Sequence, residues 1–254
     1  MLLAIDIGNT NITLGLFDDA ILCMTGRIAT DSKKTADQYA IEIKDILTLH
    51  GQDIKNVEDA IISSVAPVVA SSVSSAVAML CDTVPLMLGP GVKTGLNIKI
   101  DNPAQLGADL AAGAVGAMAE YTMPCIVIDM GTATTISVLD RNGSFLGGAI
   151  AAGINLTLDA LAKGTAVLPS ISAASPKSVI GHNTIDCMQS GIIYGTAAML
   201  DGMIDRIEEE LGESATVVAT GGLAREIINY CKNDIIYNEN LLLDGLRLIY
   251  EKNN

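Results

Sequence analysis

Two stretches of the chain end an apolar strand on a carboxylate and, one residue later, turn on a glycine. The first reads Asp6-Ile7-Gly8-Asn9-Thr10-Asn11 and the second Asp129-Met130-Gly131-Thr132-Ala133-Thr134-Thr135. Glycine at such a turn lets a ligand approach the backbone closely. Asn9, Thr10 and Thr13 add side-chain hydrogen bonds to the first turn. Small hydroxyl residues with free N–H groups are what a phosphate tail requires. Asp6 does not bind phosphate, but a carboxylate so placed can hold Mg2+ or its waters. One such turn reads equally as a plain β-hairpin. Two of them, facing each other across a cleft, can clamp a triphosphate. A third glycine turn, Ala219-Thr220-Gly221-Gly222-Leu223-Ala224, follows the strand TVVAT and opens a helix, which suits a nucleotide contact.

The elements that position these turns repeat. Residues 2–18 read LLAIDIGNTNITLGLFD and residues 125–140 read CIVIDMGTATTISVLD. Each is an apolar strand, a polar turn and a second apolar strand. The second copy continues through RNGSFLGGAI, a hairpin turn and a third strand. Helical segments follow each copy, so the pattern predicts an internal duplication of about 120 residues. Helices are expected near 35–50, 68–81, 104–119, from about 153, over 184–211 and over 240–251, with a short one after VVATGG. AIISSVAP and PLML read as strands, and 89–103 as loop and extended chain. Strands alternating with helices give an α/β class. With no low-complexity linker, the boundary is placed near 119–123, giving lobes of residues 1–120 and 121–254.

Composition narrows the partners. The chain has 254 residues, half of them apolar and 17% charged, enough to bury a large core. Mean hydropathy is +0.42, yet no run approaches the ~18 uncharged apolar residues of a spanning helix. The apolar runs are short and glycine-bounded, as buried parallel strands are. MLLAIDIGNTN lacks a basic start and is interrupted by Asp6, so it reads as a strand rather than a signal peptide. The net charge of −14 argues against nucleic acid, which demands a basic patch. Nucleotide binding needs only local N–H groups, a helix N-terminus and metal ions.

Other features carry less. GPGVKTG at residues 89–95 lacks phosphate-loop spacing, and no G-x-G-x-x-G occurs. His50 and His182 stand alone. The methionines read as core filler. The five cysteines are odd in number and widely spaced, which fits free thiols in a reducing cytoplasm.

Taken together, the motifs resemble actin-like ATPases and sugar kinases, and within them the type III pantothenate kinases over nearly the whole chain. The matching stretches are DIGNTNITLGLF (6–17), SSVAP (63–67), GPGVKTGLNIKIDNPAQLGADL (89–110), IDMGTATTISVLDRNGSFLGGAI (128–150), IGHNTIDCMQSGIIYG (180–195), ATGGLA (219–224) and GLRLIYE (245–251). The resemblance implies two duplicated ribonuclease-H-like (actin-like) lobes with an ATP cleft between them. It implies transfer of the γ-phosphoryl group of ATP to the terminal hydroxyl of pantothenate, the first step toward coenzyme A.

The resemblance also implies roles. Residues Asp6, Ile7, Gly8, Asn9, Thr10, Asn11, Ile12 and Thr13 match the first phosphate loop. Gly131, Thr132, Gly221 and Gly222 are further ATP contacts. Asp109 matches the catalytic base, and Asp129 the ligand of a monovalent cation, K+ or NH4+, beside the Mg2+ that accompanies ATP. Ile100, Gly107, Ala108, Asp109, Leu110 and Thr184 fall on the pantothenate contacts. A cytoplasmic homodimer is the family form. The alanine- and glycine-rich helix of residues 111–119 suits close packing, against a partner or within its own lobe. The chain departs from the pattern where it has Leu110 for an arginine, Ile100 for a tyrosine and Ser137 for a frequent acid. Arginine could pair with the pantothenate carboxylate bidentately, and leucine cannot. Alternative readings are a kinase of this fold for another small hydroxyl compound, and a non-catalytic nucleotide-binding regulator. An actin- or chaperone-like ATPase would need extra subdomains that this length does not hold.

Overall fold

In the computed structural model, which describes residues 1–254, the two repeats become two units with the same sheet. The first unit comprises residues 1–96, 101–119 and 240–254, the second residues 97–100 and 120–239.

The first unit begins with β1 (Leu2–Ile7), β2 (Asn11–Asp18) and β3 (Ile21–Ala29). Helix α1 (Ala36–Leu49), β4 (Asp59–Ser64), α2 (Pro67–Cys81) and β5 (Leu86–Met87) follow. The sheet order is β3-β2-β1-β4-β5, with β1 antiparallel to β2 and parallel to β4. Strand β1 is apolar except for Asp6 because both faces of the sheet are covered. On one face Leu3, Ile5 and Ile7 meet Tyr39, Ile43 and Leu47 of α1 and Val69 and Val73 of α2. Thr35 starts α1 with a capping box completed by Gln38, and Pro67 opens α2 at the position where its missing N–H costs nothing. On the other face Ala4, Phe17 and Ile61 pack with Ala112 and Val115 of α3 (Ala108–Glu120) and Leu243 and Leu246 of α7 (Leu241–Glu251).

Small residues let α3 and α7 touch backbone to backbone. A Cβ on Gly245 would stand 1.9 Å from the Ala112 carbonyl oxygen, and one on Gly116 would stand 2.4 Å from that of Leu241. Residues 111–117 are therefore buried inside their own unit, which accounts for the small side chains without a partner subunit.

The second unit repeats the plan with β6 (Cys125–Met130), β7 (Ala133–Leu139), β8 (Phe145–Ala152), α4 (Ile154–Gly164), α5 (Thr184–Leu211), β9 (Thr216–Thr220), α6 (Ala224–Ile227) and β10 (Ile236–Tyr237). The sheet order is β10-β9-β6-β7-β8, again with an antiparallel hairpin beside a parallel pair. Ile126, Ile128 and Met130 pack on Ile154 and Leu158 of α4 and on Met188, Ile192 and Leu200 of α5. The Asn183 side chain caps α5 by accepting from the Asp186 N–H, and Gly212 ends it at φ 73.

Three elements differ from the expectation. The helix expected from about 104 starts at Ala108, because Asn102-Pro103 first makes a short 3-10 turn with the Asn102 side chain accepting from the Ala104 N–H. Strand β3 completes the first hairpin in a stretch not expected to be a strand. The boundary also moves, since residues 240–254 do not stay with the second half. The apolar stripe of α7, with Leu243, Leu246 and Ile249 buried, covers the first sheet. Conversely, residues 97–100 pair with the second unit: the Lys99 N–H donates to the Phe145 carbonyl, and the Phe145 N–H to that of Asn97.

Candidate functional site

The first turn is built by the β1–β2 hairpin. Ile7 and Ile12, buried and paired in register, close its base, and the Gly8 N–H donates to the Asn11 carbonyl at 3.0 Å. The end of β3 braces it from outside. The Thr30 hydroxyl donates to the Gly8 carbonyl at 2.8 Å, and the Thr30 N–H to the Thr10 carbonyl at 3.0 Å. Asn9, Thr10 and Asn11 are left exposed at the tip. Asp6 stands behind them in a row across the sheet, paired with Thr13 on β2 and Ser63 on β4. By strand alternation the row lies on the face of Ala4 and Ile61, the one that α3 and α7 cover. Ser63 is fully buried, and its hydroxyl has no hydrogen-bond partner in the protein.

Helix α3 brings Asp109 to this unit in its first turn. The carboxylate Oδ1 accepts from the Leu110 N–H at 2.8 Å. Gly107 makes the room, since a Cβ there would stand 2.5 Å from the same Oδ1. Ala108 and Leu110 flank the carboxylate, and all four residues are partly exposed.

The second turn is held more tightly. The Gly131 N–H donates to the Ala133 carbonyl at 3.0 Å, and the Gly153 N–H to that of Thr132 at 3.1 Å. A Cβ on Gly153 would lie 2.4 Å from the Thr132 oxygen and 2.5 Å from the Gly131 oxygen. From the β9 side, Gly221 at φ +96 would place a Cβ 2.6 Å from the Met130 oxygen. Gly131, Thr132 and Gly221 are thus drawn together, with Gly222 exposed beside them. Gly153 and Thr30 were not foreseen. The sequence signal for Gly153 is a glycine set between a strand and the helical INLTLDAL; Thr30 has no local signal. Asp129 repeats the row of Asp6, paired with Thr135 on β7 and Thr220 on β9. Here the Thr135 hydroxyl is buried without a partner.

Thr184 lies elsewhere in the second unit. It opens α5 and lines a cavity of about 580 Å3 with Thr157, Leu161, Leu168, Cys187 and Met188. Helix α4 links the two places, because its N-terminus abuts Thr132 while Thr157 and Leu161 face the cavity. Ile100 is set against Gly147 of β8, with its Cγ2 3.8 Å from where a Cβ on that glycine would stand. Ser137 is buried in β7.

Three of the five thiols are ill suited to nucleophilic chemistry. Burial pushes the Cys125 thiol up to about 12 and the Cys81 thiol up to about 11. Burial, aided by Asp201, does the same to Cys231, up to about 11. Such thiols are not thiolates at neutral pH. No cluster of three or more His, Cys, Asp or Glu side chains could cage a metal. Single carboxylates among hydroxyls instead suit a hard cation that brings its own phosphate and water ligands.

The chain is similar to known proteins along its length. A family model described as type III pantothenate kinase matches residues 2–206. The chain is 43% identical over 253 residues to a type III pantothenate kinase of Exiguobacterium sibiricum, covering all of both chains. It is 44% identical to one of Brevibacillus brevis, covering 100% of this chain and 99% of the other. Among solved structures, the activator of the 2-hydroxyisocaproyl-CoA dehydratase from Clostridium difficile with bound ADPNP superposes with a TM-score of 0.58 at 17% identity, over 98% of this chain and 93% of that one. The fold is that of actin-like ATPases and sugar kinases.

Proposed function

The chain belongs to the type III pantothenate kinase family, and from that premise we propose how its residues divide the work of the reaction. The enzyme is a kinase that phosphorylates pantothenate in coenzyme A biosynthesis, using ATP with a divalent metal. Asp109 is the proton acceptor. A primary alcohol is a weak nucleophile, and a carboxylate positioned at it orients the hydroxyl and takes its proton late in the transfer. The observation that carries this reading is the start of α3. There Gly107 clears the space around Asp109, and the helix covers the sheet face on which Asp6 stands.

The backbone of residues 6–13 meets the phosphates of ATP, with Asn9, Thr10 and Thr13 supplying side-chain contacts and Ile7 and Ile12 holding the hairpin. Gly131, Thr132, Gly221 and Gly222 make the ATP contacts of the second unit. Asp6 holds Mg2+, which when bound neutralises charge on the phosphates. Asp129 holds K+ or NH4+. The chain has 15 lysines and arginines against 29 acids, and none of those cations stands in the turns. A monovalent ion would supply the missing positive charge.

Gly107, Ala108, Leu110, Ile100 and Thr184 contact pantothenate. Leu110 brings no charge to the substrate carboxylate, so that group must be met by other donors. A cytoplasmic homodimer is part of the same proposal. It is supported by exposed apolar side chains around the start of α5, namely Val179, Ile180 and Ile185. No helix is long and apolar enough to cross a membrane.

Coupled ADP release with ATP, Mg2+ and K+, with and without pantothenate, tests the proposal. Asp109→Asn should lower kcat by about 10^2–10^4-fold with ATP binding retained. A variant that turns over pantothenate at the normal rate would remove Asp109 from the mechanism.

A further inference from the structure

Each turn carboxylate is flanked by two hydroxyl residues in strict register. Asp6 lies between Thr13 and Ser63, and Asp129 between Thr135 and Thr220. These are equivalent positions of the two sheets, reached by an antiparallel neighbour on one side and a parallel neighbour on the other. Side chains directly opposite on one face have Cβ atoms about 5 Å apart, within reach of a hydroxyl-to-carboxylate hydrogen bond after a rotamer change.

Ser63 is the telling member of the row. It follows Ile61 on the α3 face of β4, where packing alone would favour an apolar side chain such as the nearby Ala4 or Ala112. Its hydroxyl is instead fully buried with no partner in the protein. An unsatisfied buried hydroxyl destabilises the fold and calls for a reason. A reason is at hand if its partner changes when ligand binds. A carboxylate that takes a cation on one oxygen is held in place by hydrogen bonds to the rest of the group.

We propose that Ser63 is a positioning residue for Asp6: when the divalent cation arrives with the nucleotide, the Ser63 hydroxyl donates to the Asp6 carboxylate and fixes its direction toward the ion. The inference rests on the reading of Asp6 as the Mg2+ residue. Ser63 itself touches neither cation nor nucleotide.

The test is Mn2+ binding to the intact protein in the presence of ADP, followed by electron paramagnetic resonance, with thermal unfolding of the ligand-free protein alongside. Ser63→Ala should weaken Mn2+ binding by about 10-fold, the range seen for groups that orient a metal ligand. ADP affinity in the presence of a chelator should stay unchanged. The ligand-free Ser63→Ala protein should be at least as stable as wild type, because an unsatisfied hydroxyl has gone. A purely structural serine would give the reverse, a lower Tm with unchanged Mn2+ binding. Ser63→Thr keeps the donor, as Thr220 does at the equivalent place, and should restore Mn2+ affinity.

Asp6→Asn separates the two readings. If it weakens Mn2+ binding while Ser63→Ala does not, the positioning role is overturned and the Asp6 reading stands. If Asp6→Asn leaves Mn2+ binding intact, the Asp6 reading fails and the inference fails with it.

Discussion

The two glycine turns share a sheet, a carboxylate and a pair of flanking hydroxyls, yet they are held differently. The first is closed by its own hairpin and braced by one threonine, with Asn9, Thr10 and Asn11 exposed at its tip. The second is wedged between two other segments, where Gly153 and Gly221 press on its backbone oxygens. The first turn therefore has side chains to give to a ligand, whereas the second is mainly a fixed array of backbone groups. A duplicated framework can keep the position of a carboxylate while the loops around it diverge in stiffness.

Adding a methyl group to each turn would expose this difference most strongly. In Gly153→Ala and Gly221→Ala the new Cβ meets backbone atoms at 2.4–2.6 Å, and Gly221 also carries a positive φ. Each should cost about 2–3 kcal/mol, read as a drop in Tm. In Gly8→Ala the nearest atom is the Asn11 oxygen at 3.1 Å, so the loss should stay below ~1 kcal/mol and appear chiefly as weaker nucleotide binding. Equal losses in Tm at the three glycines would abolish the distinction between a wedged turn and an open one.

Exchanging the carboxylates sharpens the comparison at a smaller scale. Asp6→Asn should raise the Mg2+ concentration for half-maximal activity by about 10-fold, and Asp129→Asn should do the same for K+. Titrating each variant with both ions measures the assignment. A shift of both variants along the same ion would show that the two rows serve one cation.

Much of this framework was legible in the sequence, for reasons that differ by element. Strands β1 and β6 are continuous apolar runs because both faces are buried, so their carboxylates stand out. Helices α1 and α5 announce themselves through Thr35 and Asn183 at their caps. Strand β3 was not seen because its outer residues alternate with solvent, and Gly26 and Arg27 interrupt its apolar pattern. Helix α7 was seen, but nothing local says which sheet its apolar stripe will cover. Asp6 and Asp109 could be named from motif and resemblance. Ser63 could not, because its interest lies in register: only the pairing of β4 with β1 sets it opposite Asp6. Gly153 and Gly107 look like ordinary helix starts until the carbonyl or carboxylate they make room for is in place.

The hairpins behind the turns give the smallest test. In the first unit the β2–β3 connection relies on backbone conformation, with Asp19 at φ 50. In the second unit the connection between β7 and β8 uses Gly143 at φ 73 and a network centred on Asp140. Burial alone would raise the Asp140 carboxyl. The Lys99 ammonium at 2.7 Å and the N–H groups of Ser144 and Asn142 outweigh it and hold the group at about 2. An unfolded aspartate titrates near about 3.9. The folded value is the lower one, so the network's contribution is complete above about pH 4 and vanishes as pH falls through about 2. Asp140→Asn should therefore lower stability by about 1 kcal/mol at pH 7, since Lys99 is largely exposed and its pairing is screened. The unfolding curves of variant and wild type should converge between about pH 4 and pH 2. A constant gap across that range would mean that Asp140 acts through contacts its charge does not strengthen, and no gap at any pH would mean that the hairpin is held by its backbone alone, as in the first unit.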